Sequence, residues 1–111
     1  MNGGGSTSSD WRPGASRGAM DERARLLAEI RSFFARRRVM EVETPVLSRA
    51  GNSDPNIGSM ATDDPRKRYL RTSPEYAMKR LLAAGYGDIY ELGRVFRRGE
   101  KGRQHNPEFT L

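Results

Sequence analysis

A β-hairpin with a basic loop is predicted by the sequence Val95-Phe-Arg-Arg-Gly-Glu-Lys-Gly-Arg-Gln-His-Asn-Pro-Glu-Phe-Thr110. The residues from Ile89 to Arg97 alternate well enough for a first strand. A loop with glycines and basic residues follows from Arg98 to Asn106, and a returning strand begins at Glu108. Two such runs joined by a loop that contains glycine are typical of an antiparallel hairpin.

One face of the first strand carries residues that suit an anionic ligand. Because side chains alternate between the faces of a strand, Ile89, Glu91, Gly93, Val95 and Arg97 should share one face. Gly93 should leave room for a ligand over the sheet, and Arg97 can bind a phosphate or carboxylate through two parallel hydrogen bonds. The loop and the returning strand add four basic side chains and an aromatic ring that could stack on a base: Arg98, Lys101, Arg103, His105 and Phe109. A nucleoside triphosphate suits this set, although an ordinary hairpin with a solvated basic turn has the same spacing.

An amphipathic helix is predicted from Asp21 to Arg38, because Leu27, Ile30 and Phe34 recur at helical spacing. Acidic residues in its first turn and three arginines in its last turn suit the helix dipole, so the arginines require no ligand. A short strand, Val39–Pro45, should follow the helix, and proline should end it.

A long polar loop is expected at Ser48–Arg66, with a short strand near Asn56–Met60, and another strand at Tyr69–Thr72. The next segment predicts a second helix with Ser73 as N-cap, Pro74 at the first helical position and Glu75 in the first turn. Either of two glycines should end this helix: Gly85 or Gly87. Helices, strands and an antiparallel hairpin together predict an α+β fold.

Composition narrows the class of protein. The 111 residues carry 20 Lys and Arg against 14 Asp and Glu, a net charge of +6 that favours phosphate, nucleic acid or an acidic partner, or else a solvated basic surface. The absence of cysteine excludes disulfides and thiolate metal sites, and a single histidine argues against a zinc site. No signal peptide and no apolar run of about 20 residues is present, so we expect a soluble cytoplasmic protein without a membrane segment.

Two parts of the hairpin, Phe96–Glu100 and His105–Thr110, resemble motif 2 of class II aminoacyl-tRNA synthetases. The lysyl-tRNA-synthetase-like family has this motif as Phe-Arg-x-Glu, a loop, and then His-Asn-Pro-Glu-Phe-Thr. Upstream, Glu41–Leu47 with its preceding helix resembles motif 1, which forms the dimer interface of the class. The resemblance runs from about Trp11 onward and implies an antiparallel sheet flanked by helices.

Within this family the segment Thr72-Ser-Pro-Glu-Tyr76 resembles the branch that attaches (R)-β-lysine to elongation factor P. Lysyl-tRNA synthetases tend to have Ala-Pro-Glu there. The resemblance therefore implies an ATP-dependent ligase that forms an adenylate of (R)-β-lysine and transfers it to a lysine of elongation factor P. Two alternatives stay open: the catalytic domain of a lysyl-tRNA synthetase, with lysine and tRNA as substrates, and a non-catalytic paralogue that binds a partner.

The resemblance also implies roles for individual residues. Arg97 would hold the α-phosphate of ATP and the carboxylate of the amino acid. Magnesium would bridge the phosphates, and no protein metal site is expected. The other residues assigned to ATP by position are Arg98, Gly99, Glu100, His105 (outer phosphates), Asn106 (adenine edge) and Phe109 (adenine face). The residues assigned to the amino-acid pocket are Ser73, Pro74 and Glu75, with Glu75 pairing an ammonium group.

The chain departs from the family pattern in two ways. The acid that usually stands two residues after the motif 2 arginine is replaced by Gly99, and Glu100 follows it. Either Glu100 or a backbone group at Gly99 could make the missing contact. The third motif of the family is not present in these 111 residues. We therefore expect residues 20–111 to be the first part of a catalytic domain that is inactive alone. Residues 1–19 are expected to form a flexible tail. Only about 19 residues precede the first helix, which is too few for the anticodon-binding barrel of a lysyl-tRNA synthetase.

Overall fold

The computed structural model describes residues 11–50, 58–99 and 107–111. The chain divides into two compact units, residues 1–33 and 34–111. The described ranges form two helices and seven short strands: α1 (Arg17–Arg36), β1 (Met40–Glu41), β2 (Leu47–Ser48), β3 (Met60–Ala61), β4 (Tyr69–Leu70), α2 (Glu75–Ala83), β5 (Ile89–Tyr90), β6 (Arg94–Phe96) and β7 (Glu108–Thr110). Neither helix is both long enough and apolar enough to cross a membrane.

Helix α1 begins at Arg17, earlier than predicted, because Ser16 caps it. The Oγ of Ser16 accepts a hydrogen bond from the backbone N–H of Ala19 at 3.1 Å, which satisfies one of the unpaired donors of the first turn. The predicted apolar stripe is confirmed, since Leu27, Ile30 and Phe34 are the half-buried residues of the helix and the others are exposed.

Helix α1 ends in a Schellman motif with an arginine in the left-handed position. The N–H of Val39 donates to the carbonyl of Phe34 at 3.0 Å, and the N–H of Arg38 donates to that of Ala35 at 3.1 Å. Arg38 has a φ of 59°, so it lies after the helix and not within it as predicted. Glycine usually occupies this position because a Cβ makes the conformation costly.

The strands form three small sheets, one parallel and two antiparallel. β1 pairs with β5 in parallel, with Met40 opposite Ile89, and the rings of Phe34 and Tyr90 stack beside this pair with centroids 4.2 Å apart. β2, β4 and β3 form an antiparallel sheet in that order, and β6 pairs with β7 as an antiparallel hairpin. Two helices and these sheets confirm the α+β class.

Two strand predictions are corrected by the structure. The predicted strand at Ile89–Arg97 is interrupted at residues 91–93, because β5 pairs with β1 whereas β6 pairs with β7. The predicted strand at Val39–Pro45 is reduced to the two residues of β1. β2 lies at the edge of the predicted loop, and β3 overlaps the strand expected near Met60.

Helix α2 confirms the prediction with a small shift at its start. Its first residue is Glu75, so Pro74 is the N-cap and not the first helical residue, and Ser73 lies one position before the cap instead of being the cap as predicted. The Oγ of Ser73 accepts the backbone N–H of Glu75 at 3.3 Å. Its end is a second Schellman motif, in which Tyr86 N–H donates to Leu81 and Gly85 N–H donates to Leu82. Gly85 has a φ of 87° and is the glycine that ends the helix.

Candidate active site

The β6–β7 hairpin places the central residues of the candidate site. Val95 is fully buried and lies directly opposite Phe109, so the hairpin is anchored in the protein at this pair. The backbone N–H of Arg97 donates to the carbonyl of Pro107 at 2.9 Å, which extends the pairing to the edge of the loop. Arg97 therefore stands where the predicted hairpin required it, at the end of the first hairpin strand.

The guanidinium of Arg97 makes two contacts that fix its position. Its Nε donates to the backbone carbonyl of Thr72 at 3.1 Å, and its Cζ lies 5.2 Å from the centroid of the Phe109 ring. Thr72 itself is only 5% exposed. Within the described ranges this guanidinium uses Nε for its hydrogen bond, so the paired terminal nitrogens keep the geometry that suits a phosphate or carboxylate.

The contact with Thr72 joins the two halves of the predicted site. Thr72 directly precedes Ser73, Pro74 and Glu75, which the sequence assigns to the amino-acid pocket. Activation of an amino acid requires its carboxylate to meet the α-phosphate of ATP, and reacting groups held together in this way gain a large rate advantage. The hydrogen bond brings the predicted phosphate-binding arginine to the predicted amino-acid segment.

Glu75 already engages an ammonium group of the protein. The Nζ of Lys79 lies 3.0 Å from the Glu75 carboxylate, and both side chains are 63% exposed. The hydrogen bond and the charge of Glu75 raise the pKa of the Lys79 ammonium. An exposed pair one helical turn apart is weak, so a substrate ammonium could replace Lys79 at this carboxylate.

The predicted room above Gly93 is not there. A Cβ built at Gly93 would collide with the Arg71 guanidinium and would lie 3.1 Å from Oε2 of Glu91. Gly93 therefore makes space for a neighbouring side chain of the protein, and the face that carries Glu91, Gly93 and Val95 is packed. Arg97, at the end of that face, is half-buried.

The side chain above Gly93 belongs to a buried ion pair that the sequence did not reveal. Arg71 Nη1 donates to Glu91 Oε2 at 2.7 Å, and the two side chains are only 7% and 3% exposed. Arg71 also donates to Thr44 Oγ1 at 3.0 Å and, through Nε, to the Arg94 carbonyl at 2.8 Å. Thr44 in turn donates its hydroxyl to Glu91 Oε1 at 2.6 Å. We call Thr44, Arg71 and Glu91 the buried cluster.

The buried cluster changes the ionisation of Glu91. Burial alone would raise the pKa of its carboxyl group, because a charge loses solvation there. Hydrogen bonds from Thr44 and Arg71, together with the charge of Arg71, outweigh burial and lower the pKa of Glu91 below its ordinary value. Glu91 is therefore held as a carboxylate.

The structure describes part of the predicted loop contacts. The backbone N–H of Arg98 donates to the carbonyl of Gly58 at 3.0 Å, which ties the start of the loop to the segment before β3. Gly99 has a φ of 89°, a conformation that a glutamate would adopt only with strain. The family acid is thus missing at a position where this backbone favours glycine. Three other residues assigned to ATP lie outside the described residues: Glu100, His105 and Asn106.

The charged residues of the buried cluster were visible in the sequence, but the sequence did not show that they pair with each other. Arg71 and Glu91 are charged residues within predicted strands, and charged side chains are almost never fully buried unless they are paired. Their pairing spans 20 positions along the chain, and neither strand alone indicates it. Thr72 was missed because its contribution is a backbone carbonyl.

Comparison with known proteins identifies the family of the chain. A family model described as tRNA synthetases class II (D, K and N) matches residues 7–111. A protein of Vibrio cholerae named elongation factor P--(R)-beta-lysine ligase is 51% identical over 112 residues, which cover 95% of this chain and 35% of that protein.

Two further relatives carry the same name. The protein of Photorhabdus laumondii is 50% identical over 113 residues, covering 96% of this chain and 35% of its own length. The protein of Buchnera aphidicola is 48% identical over 109 residues, covering 91% of this chain and 34% of its own length. The chain thus spans about a third of the length of the curated relatives it matches.

Proposed function

Because this chain belongs to the class II tRNA synthetase family that includes the D, K and N enzymes, we propose that it activates an amino acid with ATP. The observation that carries the proposal is the hydrogen bond from Arg97 Nε to the Thr72 carbonyl. It joins an arginine suited to a phosphate with the segment assigned to the amino acid. Several relatives of about 50% identity bear the name of a ligase of this kind, which supports the same conclusion.

The first step would form an aminoacyl-adenylate. An oxygen of the amino-acid carboxylate attacks the α-phosphorus of ATP, the bond from that phosphorus to the β-phosphate oxygen breaks, and pyrophosphate leaves. The role of Arg97 would be to hold both anions together and to stabilise the charge that develops on the α-phosphate. Phe109, already in contact with Arg97, offers a face on which the adenine ring can stack.

We propose that magnesium binds together with ATP in this step. When bound with ATP, it would neutralise part of the phosphate charge beside Arg97. Phosphate oxygens are ligands that magnesium accepts, and it often keeps most of its other ligands as water.

We propose (R)-β-lysine as the amino acid and a lysine of elongation factor P as the acceptor. In the second step the acceptor amine attacks the acyl carbon of the adenylate, an amide forms, and AMP leaves. Ser73 supports the choice of amino acid, because its hydroxyl keeps a second lone pair for a shifted ammonium while the first accepts Glu75 N–H. A protein that acts on a translation factor would work in the cytoplasm.

The activation step is tested by pyrophosphate exchange in the full-length protein. Arg97→Ala should lower adenylate formation by at least ~100-fold, since it removes a group that stabilises transition-state charge. Arg97→Lys should restore little, because a point charge cannot reproduce the planar fork. The matched control is Arg94→Gln, which removes a half-exposed arginine from the same hairpin and should keep the wild-type rate. An Arg97→Ala variant as fast as wild type would refute the assignment.

The acceptor is tested separately. Full-length protein is given ATP and labelled (R)-β-lysine and is then offered purified elongation factor P or purified tRNA. We expect the label on elongation factor P, with activation faster for (R)-β-lysine than for α-lysine, because a site built around a polar contact rejects an analogue that leaves it unpaired. Label on tRNA alone would identify a lysyl-tRNA synthetase instead. Normal exchange without transfer to either acceptor would also contradict the proposal.

A further inference from the structure

Arg71 anchors the strand that carries Arg97 at several points. Its guanidinium Nε donates to the carbonyl of Arg94, at the start of β6, at 2.8 Å. Its backbone carbonyl accepts the N–H of Phe96 at 2.8 Å. The next residue, Thr72, accepts the Nε of Arg97 at 3.1 Å. Two consecutive residues therefore fix the beginning, the middle and the end of the segment from Arg94 to Arg97.

Glu91 and Thr44 fix Arg71 itself. Glu91 accepts from Arg71 Nη1, and Thr44 accepts from the same nitrogen and donates to the opposite carboxylate oxygen of Glu91. The backbone N–H of Arg71 also donates to the carbonyl of Val46 at 2.9 Å. Because hydrogen bonds surround the guanidinium on several sides, Arg71 has little freedom to rotate away from Arg94.

Stability alone is a weak reason for such a pair. Desolvation of two charges offsets most of their attraction, and well-packed apolar residues of similar size often stabilise a protein as well or better. A guanidinium instead supplies directional donors, which apolar residues cannot. The pair is therefore better explained by the geometry it imposes on β6 than by the energy it contributes.

We propose that Arg71 and Glu91 are positioning residues for amino-acid activation, which hold Arg97 in place through the Arg94 and Thr72 carbonyls. This proposal rests on the proposed function of Arg97, and neither residue need touch a substrate. Displacement of a catalytic group by about 1 Å can cost about 100-fold in rate. A loss of position should therefore lower kcat for adenylate formation more than it raises KM.

The experiment separates position from stability with two variants of the full-length protein. Arg71→Lys keeps a charge beside Glu91 but loses the fork, and it should lower kcat of pyrophosphate exchange by about 10- to 100-fold. The double variant Arg71→Met/Glu91→Met should melt close to the wild-type temperature, because an apolar pair replaces an ion pair. Its exchange rate should nevertheless stay as low as that of Arg71→Lys. The matched control is Arg17→Gln/Asp21→Asn, which removes an exposed ion pair of α1 and should change neither quantity.

A second readout needs no substrate. The Nε–H of Arg97, identified in the NMR spectrum by its loss in Arg97→Lys, should exchange slowly in wild type and in the control because it is bonded to the Thr72 carbonyl. It should exchange fast in the double variant. Two results in the double variant would overturn the proposal: an Nε–H that still exchanges slowly with solvent, or a wild-type rate of pyrophosphate exchange. A wild-type protein that is inactive but shows the protected signal, lost in the double variant, would refute the proposed function and support the positioning role.

Discussion

At the scale of single residues, Glu91 shows how a buried charge is kept ionised. Its carboxylate is 3% exposed, and three donors compensate the lost solvation: the Thr44 hydroxyl, the Thr44 backbone N–H and the Arg71 guanidinium. A carboxyl group whose pKa is lowered by folding stabilises the folded state above its unfolded pKa, and this contribution is lost as the pH falls through the folded pKa.

The stability of the full-length protein should therefore fall on acidification below the ordinary glutamate pKa of 4.5. Glu91→Gln should lower stability at neutral pH by about 3–5 kcal/mol, because it leaves Arg71 buried without its counter-charge. It should also flatten the acid dependence by up to about one proton. Denaturant unfolding between neutral pH and pH 3 measures both effects.

Thr44→Val provides a milder variant for the same measurement. It removes the hydroxyl donor to Glu91 and keeps the ion pair, so the acid dependence should be intermediate between those of wild type and Glu91→Gln. If the free energy of unfolding depends on pH equally steeply in wild type and in Glu91→Gln, Glu91 is not the group that causes the loss of stability in acid.

At the scale of secondary-structure elements, the two helices end in the same motif with different residues. α2 has Gly85 in the left-handed position, with a φ of 87°, whereas α1 has Arg38 there, with a φ of 59°. A side chain in this conformation costs about 1–2 kcal/mol relative to ordinary backbone. The end of α1 is therefore less favourable than the end of α2.

Arg38→Gly should stabilise the full-length protein by about 1 kcal/mol, and Gly85→Ala should destabilise it by a similar amount. A Cβ at Gly85 meets no atom within 4 Å, so the loss reflects the backbone alone. Arg38→Ala is the matched control, because it removes the same side chain without relieving the strain. Unfolding in denaturant measures all three variants. Equal gains from Arg38→Gly and Arg38→Ala would contradict the backbone explanation.

Elements with strong local signals were predictable, and those that depend on distant partners were not. α1, α2 and the β6–β7 hairpin follow from helical spacing, capping residues and a glycine-bearing loop. Strands of two residues, such as β1 and β2, are too short to show alternation, and their existence depends on β5 and β4. The break between β5 and β6 has the same origin, since each half pairs with a different neighbour.

The candidate site was predictable to the same extent. Arg97, Phe109 and the segment from Ser73 to Glu75 follow from motifs. The structure brings Arg97 to the ring of Phe109 and to the carbonyl of Thr72, which directly precedes that segment. Gly93 was misinterpreted because a missing side chain indicates space but not what fills it. Arg71 fills it, from a position directly after β4 and more than twenty residues earlier in the chain.

At the scale of the whole molecule, several of the exposed apolar side chains lie in the part of the sequence that resembles the dimer motif. Met40, Val46 and Leu47 are 46%, 38% and 47% exposed in the second unit, and Leu26 is 56% exposed on α1. Isologous interfaces bury the same apolar surface from both copies. We propose that this segment forms a two-fold interface in the full-length protein.

Sedimentation equilibrium at micromolar concentration should report a dimer. Leu47→Asp should shift the population toward monomer, because it places a charge in an apolar interface. Leu82→Asp on α2 is the control, since Leu82 is equally exposed at 54% but lies outside the motif, and it should leave the dimer intact. A wild-type protein that stays monomeric at all accessible concentrations would refute the proposal.

The buried cluster also bears on the order in which the chain folds. Its contacts join Arg71 to Glu91 across 20 positions, Arg71 to Thr44 across 27 and Thr44 to Glu91 across 47. Contacts of such long sequence separation require loop closure before they contribute energy, whereas helices form from neighbouring residues. During synthesis the cluster cannot be completed until Glu91 has left the ribosome. Each new molecule therefore holds the charge of Arg71, destined for its interior, without its native carboxylate partner until Glu91 has been synthesised.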